Sequence, residues 1–217
     1  PPRSKSTPWV YFIKNTPIAL DKGILVNKYL ETNIAGVYAI GDCAQQTEVT
    51  GLRRPIEAVW YTGRMMGETL AQTICGNKTA YKPGHWFNSA KFFEVEYQTY
   101  GWVNTDKRKQ EHEQHFHWQH PHEPIAITTA YHKETNQLLG VNVFGIRLRH
   151  AVLDAWLSQH KSLDYCLAHW ADALFDPEFS NSHQKDLLNH YNTVFQKALK
   201  PVKKSWTRIF NPFSTKK

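Results

Sequence analysis

The chain alternates short apolar runs with polar breaks. Residues 9–13, Trp9-Val10-Tyr11-Phe12-Ile13, form the first run, and Pro17 interrupts it. Two apolar triplets, residues 18–20 and 24–26, flank Asp21-Lys22-Gly23, a turn composition that predicts a small hairpin. Val37-Tyr38-Ala39-Ile40 is too short for an ordinary helix and carries no charge. That predicts a strand buried on both faces, ending at Gly41-Asp42. After a polar loop over residues 45–54, Ile56, Val59, Gly63, Met66, Leu70 and Ile74 recur with the helical period. Pro55 suits the first position of that helix, where a missing N–H costs no hydrogen bond. Gly76-Asn77 supplies its end. Gly63 and Gly67 stand one turn apart, so this face can pack close to another backbone.

From Tyr81 the pattern changes. Pro83-Gly84 marks a connection, and residues 91–97 set Phe93, Val95 and Tyr97 against Glu94 and Glu96, as in a half-buried antiparallel strand. Phe116 and Trp118, among histidines, predict another. Residues 125–131 and 138–144 read as two strands joined by the polar loop 133–137. Three helical segments follow. Leu148, Val152, Ala155 and Trp156 mark the first, and Leu163, Cys166, Leu167, Trp170 and Leu174 the second. Leu187, Tyr191, Val194, Phe195 and Ala198 mark the third, which Pro201 stops. The expected organisation is α/β followed by α+β: residues 1–80, a sheet-and-helices unit over 81–201, and a tail over 202–217.

Composition narrows the function. With 41% hydrophobic and 13% aromatic residues, the chain is globular rather than disordered. The net charge of +7 invites a nucleic-acid partner, but the lysines and arginines are scattered and concentrate only at the end, so none is expected. Cys43, Cys75 and Cys166 form no CxxC pair, which excludes a thiol redox motif and a zinc knuckle and fits a reducing, cytoplasmic setting. No run is long enough to span a bilayer. The opening Pro1-Pro2-Arg3-Ser4, without methionine, agrees with a truncated chain.

Chemistry concentrates at the end of the predicted buried strand. A Gly-Asp there lets another backbone approach closely and offers one carboxylate as acceptor. The run Gly23-Ile24-Leu25-Val26-Asn27, then Leu30-Glu31-Thr32, then Gly36-Val37-Tyr38-Ala39-Ile40-Gly41-Asp42-Cys43-Ala44 closely resembles the second FAD-binding segment of the FAD-dependent pyridine nucleotide-disulfide oxidoreductase superfamily. The resemblance implies the end of an FAD-binding Rossmann-like domain, followed by a C-terminal interface domain. It implies that Asp42 accepts a hydrogen bond from the flavin's ribitol chain, that Gly41 lets the cofactor lie against the strand end, and that Cys43 borders it. It also implies that the helix expected from Pro55, with Glu57 and Ala58 in its first turn, presents its N-terminus to the flavin's pyrimidine edge through its backbone.

Two branches of that superfamily differ in their redox groups. His120-Pro121-His122-Glu123 imitates the disulfide reductases' acid-base motif in letters but not in spacing, and no cysteine pair accompanies it. The chain is more similar to the ferredoxin, rubredoxin and nitrite reductase branch, which carries a Trp-Ser segment near the flavin. Pro83-Gly84-His85-Trp86-Phe87-Asn88-Ser89 is similar, with Phe87-Asn88 interrupting the pattern. Trp86 or Phe87 then borders the isoalloxazine, or both are core aromatics at a domain junction. Neither GxGxxG fingerprint of the superfamily occurs, so the chain is expected to be a C-terminal portion, inactive alone. FAD and the remainder of the protein are its expected partners, with NAD(P)H as co-substrate through that remainder. A homodimer is compatible with this.

The expected function is hydride transfer from NAD(P)H to FAD and electron transfer onward, with no side-chain nucleophile. The alternatives are a peripheral-membrane type II NADH:quinone dehydrogenase-like enzyme and a non-catalytic interaction module. The first rests on the tail, where Lys203, Lys204, Arg208, Lys216 and Lys217 surround Trp206, Ile209, Phe210 and Phe213, a composition of interfacial anchors on the inner membrane face or of a segment docked on the protein. The crowded His112, His115, His117, His120 and His122 offer metal ligands in principle, but a polar edge strand explains them more simply, and no metal is assigned.

Overall fold

The turn at Asp21-Lys22-Gly23 closes through the Asp21 amide, which donates to the Gly23 carbonyl at 3.1 Å, and an antiparallel bridge joins Leu20 to Ile24. Beyond that bridge the hairpin stops. In the computed structural model, which describes residues 13–49, 51–178 and 181–202, strand β1 (Ile24–Val26) pairs in parallel with β2 (Ala44–Gln46). Gln45 fastens the turn to β2. Its Oε1 accepts from the amides of Lys22 and Gly23 at 2.9 and 3.0 Å, and its Nε2 donates to the Asp21 carboxylate at 2.9 Å.

Residues 37–40 are not the doubly buried strand that their apolar character predicts. They make one bridge, Tyr38 with Glu31, and only Ala39 is buried, while Ile40 is 37% exposed. The ladder partner of β1 comes later, after a 3₁₀ turn over Gly41–Cys43, and it consists of Ala44 and two glutamines. Pairing position outweighed hydrophobicity here.

Helix α1 (Trp60–Ile74) also starts later than its period suggests. The Pro55 carbonyl accepts from the Gln46 amide at 2.9 Å, and the Glu57 carbonyl from the Val59 amide at 2.9 Å, which holds residues 55–59 outside the helix. Glu57 and Ala58 therefore precede the first turn rather than form it. Val26, Leu30, Ala39, Ala44, Met66 and Tyr81 make the core of this part, with Ile24, Met65 and Leu70 against it.

The described residues fall into two compact units, divided between Asn88 and Ser89. The second is built on a five-stranded sheet of order β3-β4-β7-β6-β5, with β3 (Phe87–Phe92), β4 (Val95–Gly101), β5 (Glu113–Gln119), β6 (Ala126–His132) and β7 (Leu138–Phe144). The β4–β7, β7–β6 and β6–β5 pairings are antiparallel, with Ile127 opposite both Trp118 and Val143. The single strand expected over residues 91–97 is instead a hairpin. Phe93 adopts φ 51° and is 98% exposed, so the alternating pattern crosses a turn that contains no glycine to announce it.

Helices α2 (His150–Ser158), α3 (Leu163–Ala168) and α4 (Gln184–Phe195) follow the sheet, with a 3₁₀ turn over Trp170–Ala173 after α3. Trp156, Leu163, Leu167, Trp170, Leu187 and Tyr191 are buried, as their helical spacing predicts, whereas Val152 and Ala155 are half-buried and Val194 is exposed. The α/β part followed by an α+β part is the architecture observed.

Candidate functional site

Gly41 makes the turn at the end of residues 37–40. Its φ of +73° lies in the left-handed region, which a side chain would strain although no atom lies within 4 Å of where a Cβ would stand. Its amide donates to the Met66 sulfur of α1 at 3.3 Å. A methyl on Gly63 would meet the Gly41 α-carbon at 3.5 Å, and one on Gly67 the Ile40 side chain at 3.7 Å. The two glycines one turn apart thus lay α1 along residues 40–41. Cys43 turns its thiol back to the Ile40 carbonyl at 3.4 Å, leaving Asp42 exposed at the crest.

The N-terminus of α1 adds a second polar feature. Its cap, Val59, makes no side-chain hydrogen bond to the first turn. Trp60, the first helical residue, is 68% exposed. The combination is one exposed carboxylate, a glycine that admits close approach and a helix end with partial positive charge. Such a set accepts hydrogen bonds from hydroxyls at Asp42 and stabilises a carbonyl or anion at the helix end.

Glu57 does not join that set. It is 8% exposed, and its Oε2 is bound by the Arg53 guanidinium and accepts from the Thr62 hydroxyl at 3.3 Å. Arg53 also donates to the carbonyls of Pro83, Gly84 and His85 at 2.9, 3.3 and 3.2 Å, and lies 5.7 Å from the Trp86 ring centroid. Trp86 and Glu57 are thereby joined through one arginine, while Ala58 is exposed. Sequence reasoning passed over Arg53. Its i,i+4 spacing from Glu57 resembles an exposed helical pair, but residues 53–57 are not helical and the pair is buried. Phe87 packs against Tyr61 at 5.1 Å between ring centroids.

Burial pushes the nearby Tyr81 phenol up to about 12, with Arg53 opposing and Glu57 adding to the rise. In the second unit, burial would push Glu113 up. The side-chain amide of Asn104 at 2.7 Å, His115 Nε2 at 2.6 Å and the backbone amides of Asn104 and Gln110 instead hold it below the usual carboxylate range.

Among the described residues no three His, Cys, Asp or Glu side chains group as metal ligands, and no helix is long and apolar enough to cross a membrane. His115 is engaged by Glu113, and His112 stacks on His132 at 4.9 Å between centroids. The aromatic residues of the basic tail and the run 9–12 lie outside the described residues.

Residues 5–67 match the family model described as pyridine nucleotide-disulphide oxidoreductase. The chain is 27% identical over 192 residues to a coenzyme A disulfide reductase of Staphylococcus aureus, covering 82% of this chain and 43% of that protein. Among solved structures, reduced CoADR-RHD of Bacillus anthracis matches with a TM-score of 0.59 and 21% identity, over 75% of this chain and 32% of that one. A FAD-dependent pyridine nucleotide-disulphide oxidoreductase of Desulfovibrio vulgaris matches with a TM-score of 0.56 and 16% identity, over 85% of this chain and 47% of that one. At those identities the structural likeness is one of fold. The chain spans less than half the length of the curated relative.

Proposed function

We propose that this chain, which fits the pyridine nucleotide-disulphide oxidoreductase superfamily, is a portion of an FAD-dependent NAD(P)H oxidoreductase and supplies part of its flavin site. The observation that carries the reading is the Gly41–Cys43 turn packed on α1, which sets an exposed carboxylate at a left-handed glycine on a segment within the family match.

The residues present fit such a cofactor. Asp42 would accept hydrogen bonds from hydroxyls of the ribitol chain, and a side chain at position 41 would be strained by its φ of +73°. The N-terminus of α1, to which the cap residue makes no side-chain hydrogen bond, offers its dipole and first-turn amides to the electron-rich edge of the ring system. Cys43 contributes its backbone to the turn, since its thiol is directed at Ile40. Glu57 and Trp86 act at one remove, by fixing Arg53 and the segment 83–85. FAD, when bound, would supply the capacity to accept hydride from NAD(P)H and pass electrons to an acceptor.

The test is spectroscopic. The complete natural protein, purified, should carry visible flavin absorbance that bleaches on anaerobic addition of NADH or NADPH. A colourless protein, or a bound flavin that neither nucleotide reduces, contradicts the proposal.

A further inference from the structure

Gly63, Met66 and Gly67 share one face of α1, and all three meet the segment that presents Asp42. The glycines let the helix backbone come close to Gly41 and Ile40. Met66 alone among them carries a side chain. A helical side chain leans back toward the N-terminus of its helix, which takes the thioether of Met66 toward the level of Gly63, where Gly41 lies. A long unbranched chain with its sulfur near the end reaches the Gly41 amide there, at 3.3 Å.

The turn is otherwise bonded to itself. The Ala44 amide donates to the Gly41 carbonyl, and the Cys43 thiol to the Ile40 carbonyl at 3.4 Å. Neither bond reaches another helix. Met66 is 2% exposed and belongs to the same core as Leu30, Ala39 and Ala44, so its sulfur is held by packing on several sides. The residue before Asp42 thus takes its position from the core of the first unit through a thioether.

We propose that Met66 is a positioning residue of the flavin site. Its sulfur fixes the Gly41 amide and thereby the direction in which Asp42 presents its carboxylate. The proposal rests on the reading of Asp42 as acceptor for the flavin's hydroxyls. Glycine has the most backbone freedom of any residue, so Gly41 without its hydrogen bond to α1 samples other orientations. Asp42 is then prearranged for the ligand less of the time, and affinity falls by that fraction.

The experiment measures FAD dissociation constants on the complete natural protein, stripped of flavin and titrated with FAD. Four folded proteins are compared: the parent, Met66→Leu, Asp42→Ala and the double variant. Leucine for methionine conserves apolar volume and is well tolerated in cores, but it removes the acceptor. Met66→Leu should weaken FAD binding about threefold to tenfold, the worth of one neutral hydrogen bond. In the Asp42→Ala background the same change should cost less than about twofold, because the carboxylate to be positioned is gone. Met66→Gln places an oxygen acceptor at similar reach and should restore affinity to within about twofold of the parent. The cycle decides alone if Met66→Gln fails to fold. Equal losses in both backgrounds mark a general packing effect and overturn the proposal. So does parent-like affinity in Met66→Leu, or a folded Met66→Gln protein that binds no better than Met66→Leu. A parent that takes up no FAD, or an Asp42→Ala protein that binds it as well as the parent, refutes the flavin reading itself and this proposal with it.

Discussion

Gly23 sits so close to Cys43 that a methyl at position 23 would stand 2.7 Å from the Cys43 carbonyl oxygen. The same methyl would lie 3.1 Å from both Gln45 and Ile56. Gly23 thus sets how near β1 can come to the end of the Gly41–Cys43 turn. Gly23→Ala should push β2 away and lower stability by ~1–3 kcal/mol, the usual cost of overpacking. Urea unfolding checks this, and an unchanged midpoint would show that β2 yields freely.

Gly63 makes the opposite case. The methyl of Gly63→Ala falls at 3.5 Å from the Gly41 α-carbon, an ordinary contact, and alanine favours the helix by up to ~1 kcal/mol. Gly63→Ala should therefore be neutral or stabilising in a thermal melt, whereas Gly63→Leu should displace the turn. A loss from Gly63→Ala as large as that from Gly23→Ala would contradict the packing described.

Arg53 and Glu57 form a buried pair, with side chains 9% and 7% exposed. Arg53→Met leaves the Glu57 charge uncompensated and should cost ~3–5 kcal/mol. The double variant Arg53→Met/Glu57→Leu should recover much of that loss. Chemical denaturation of the single and double variants decides it, and additive losses would argue against coupling.

Glu113 links the second unit's stability to pH. Its folded carboxyl lies below its ordinary value, so its contribution is fully present above the unfolded value of about 4.3 and is lost as pH falls through the lower folded value. Glu113→Gln should destabilise by ~1–3 kcal/mol at neutral pH and flatten the acid limb of stability against pH. Thermal midpoints measured from neutral to acid pH would show it; parallel curves for parent and variant would not.

The extent to which this was legible from residues differs between the two units. Strand β7 ends where its apolar run ends, and the helical spacing of Leu163, Leu167, Leu187 and Tyr191 marks residues that are buried, because each element there buries a face of its own. In the first unit the position of Asp42 was readable from a motif, while the elements around it were not. Residues 37–40 look like a core strand, yet the ladder goes to Ala44–Gln46, a choice made by the turn and by the Gln45 side chain. Residues 55–59 carry helical spacing but are held by Gln46 and by the Arg53–Glu57 pair, contacts between segments that periodicity does not encode. The same holds for Phe93, whose turn contains no glycine or proline to betray it.

The proposed flavin site depends on Asp42 as the acceptor for the cofactor's hydroxyls. Its most direct test is the flavin-to-polypeptide ratio of the complete natural protein after exhaustive dialysis, compared with its Asp42→Ala variant once both are shown to be folded. The account predicts retention weakened by about tenfold or more in the variant, the loss of a charge-assisted acceptor. Equal flavin content in the two proteins would contradict it.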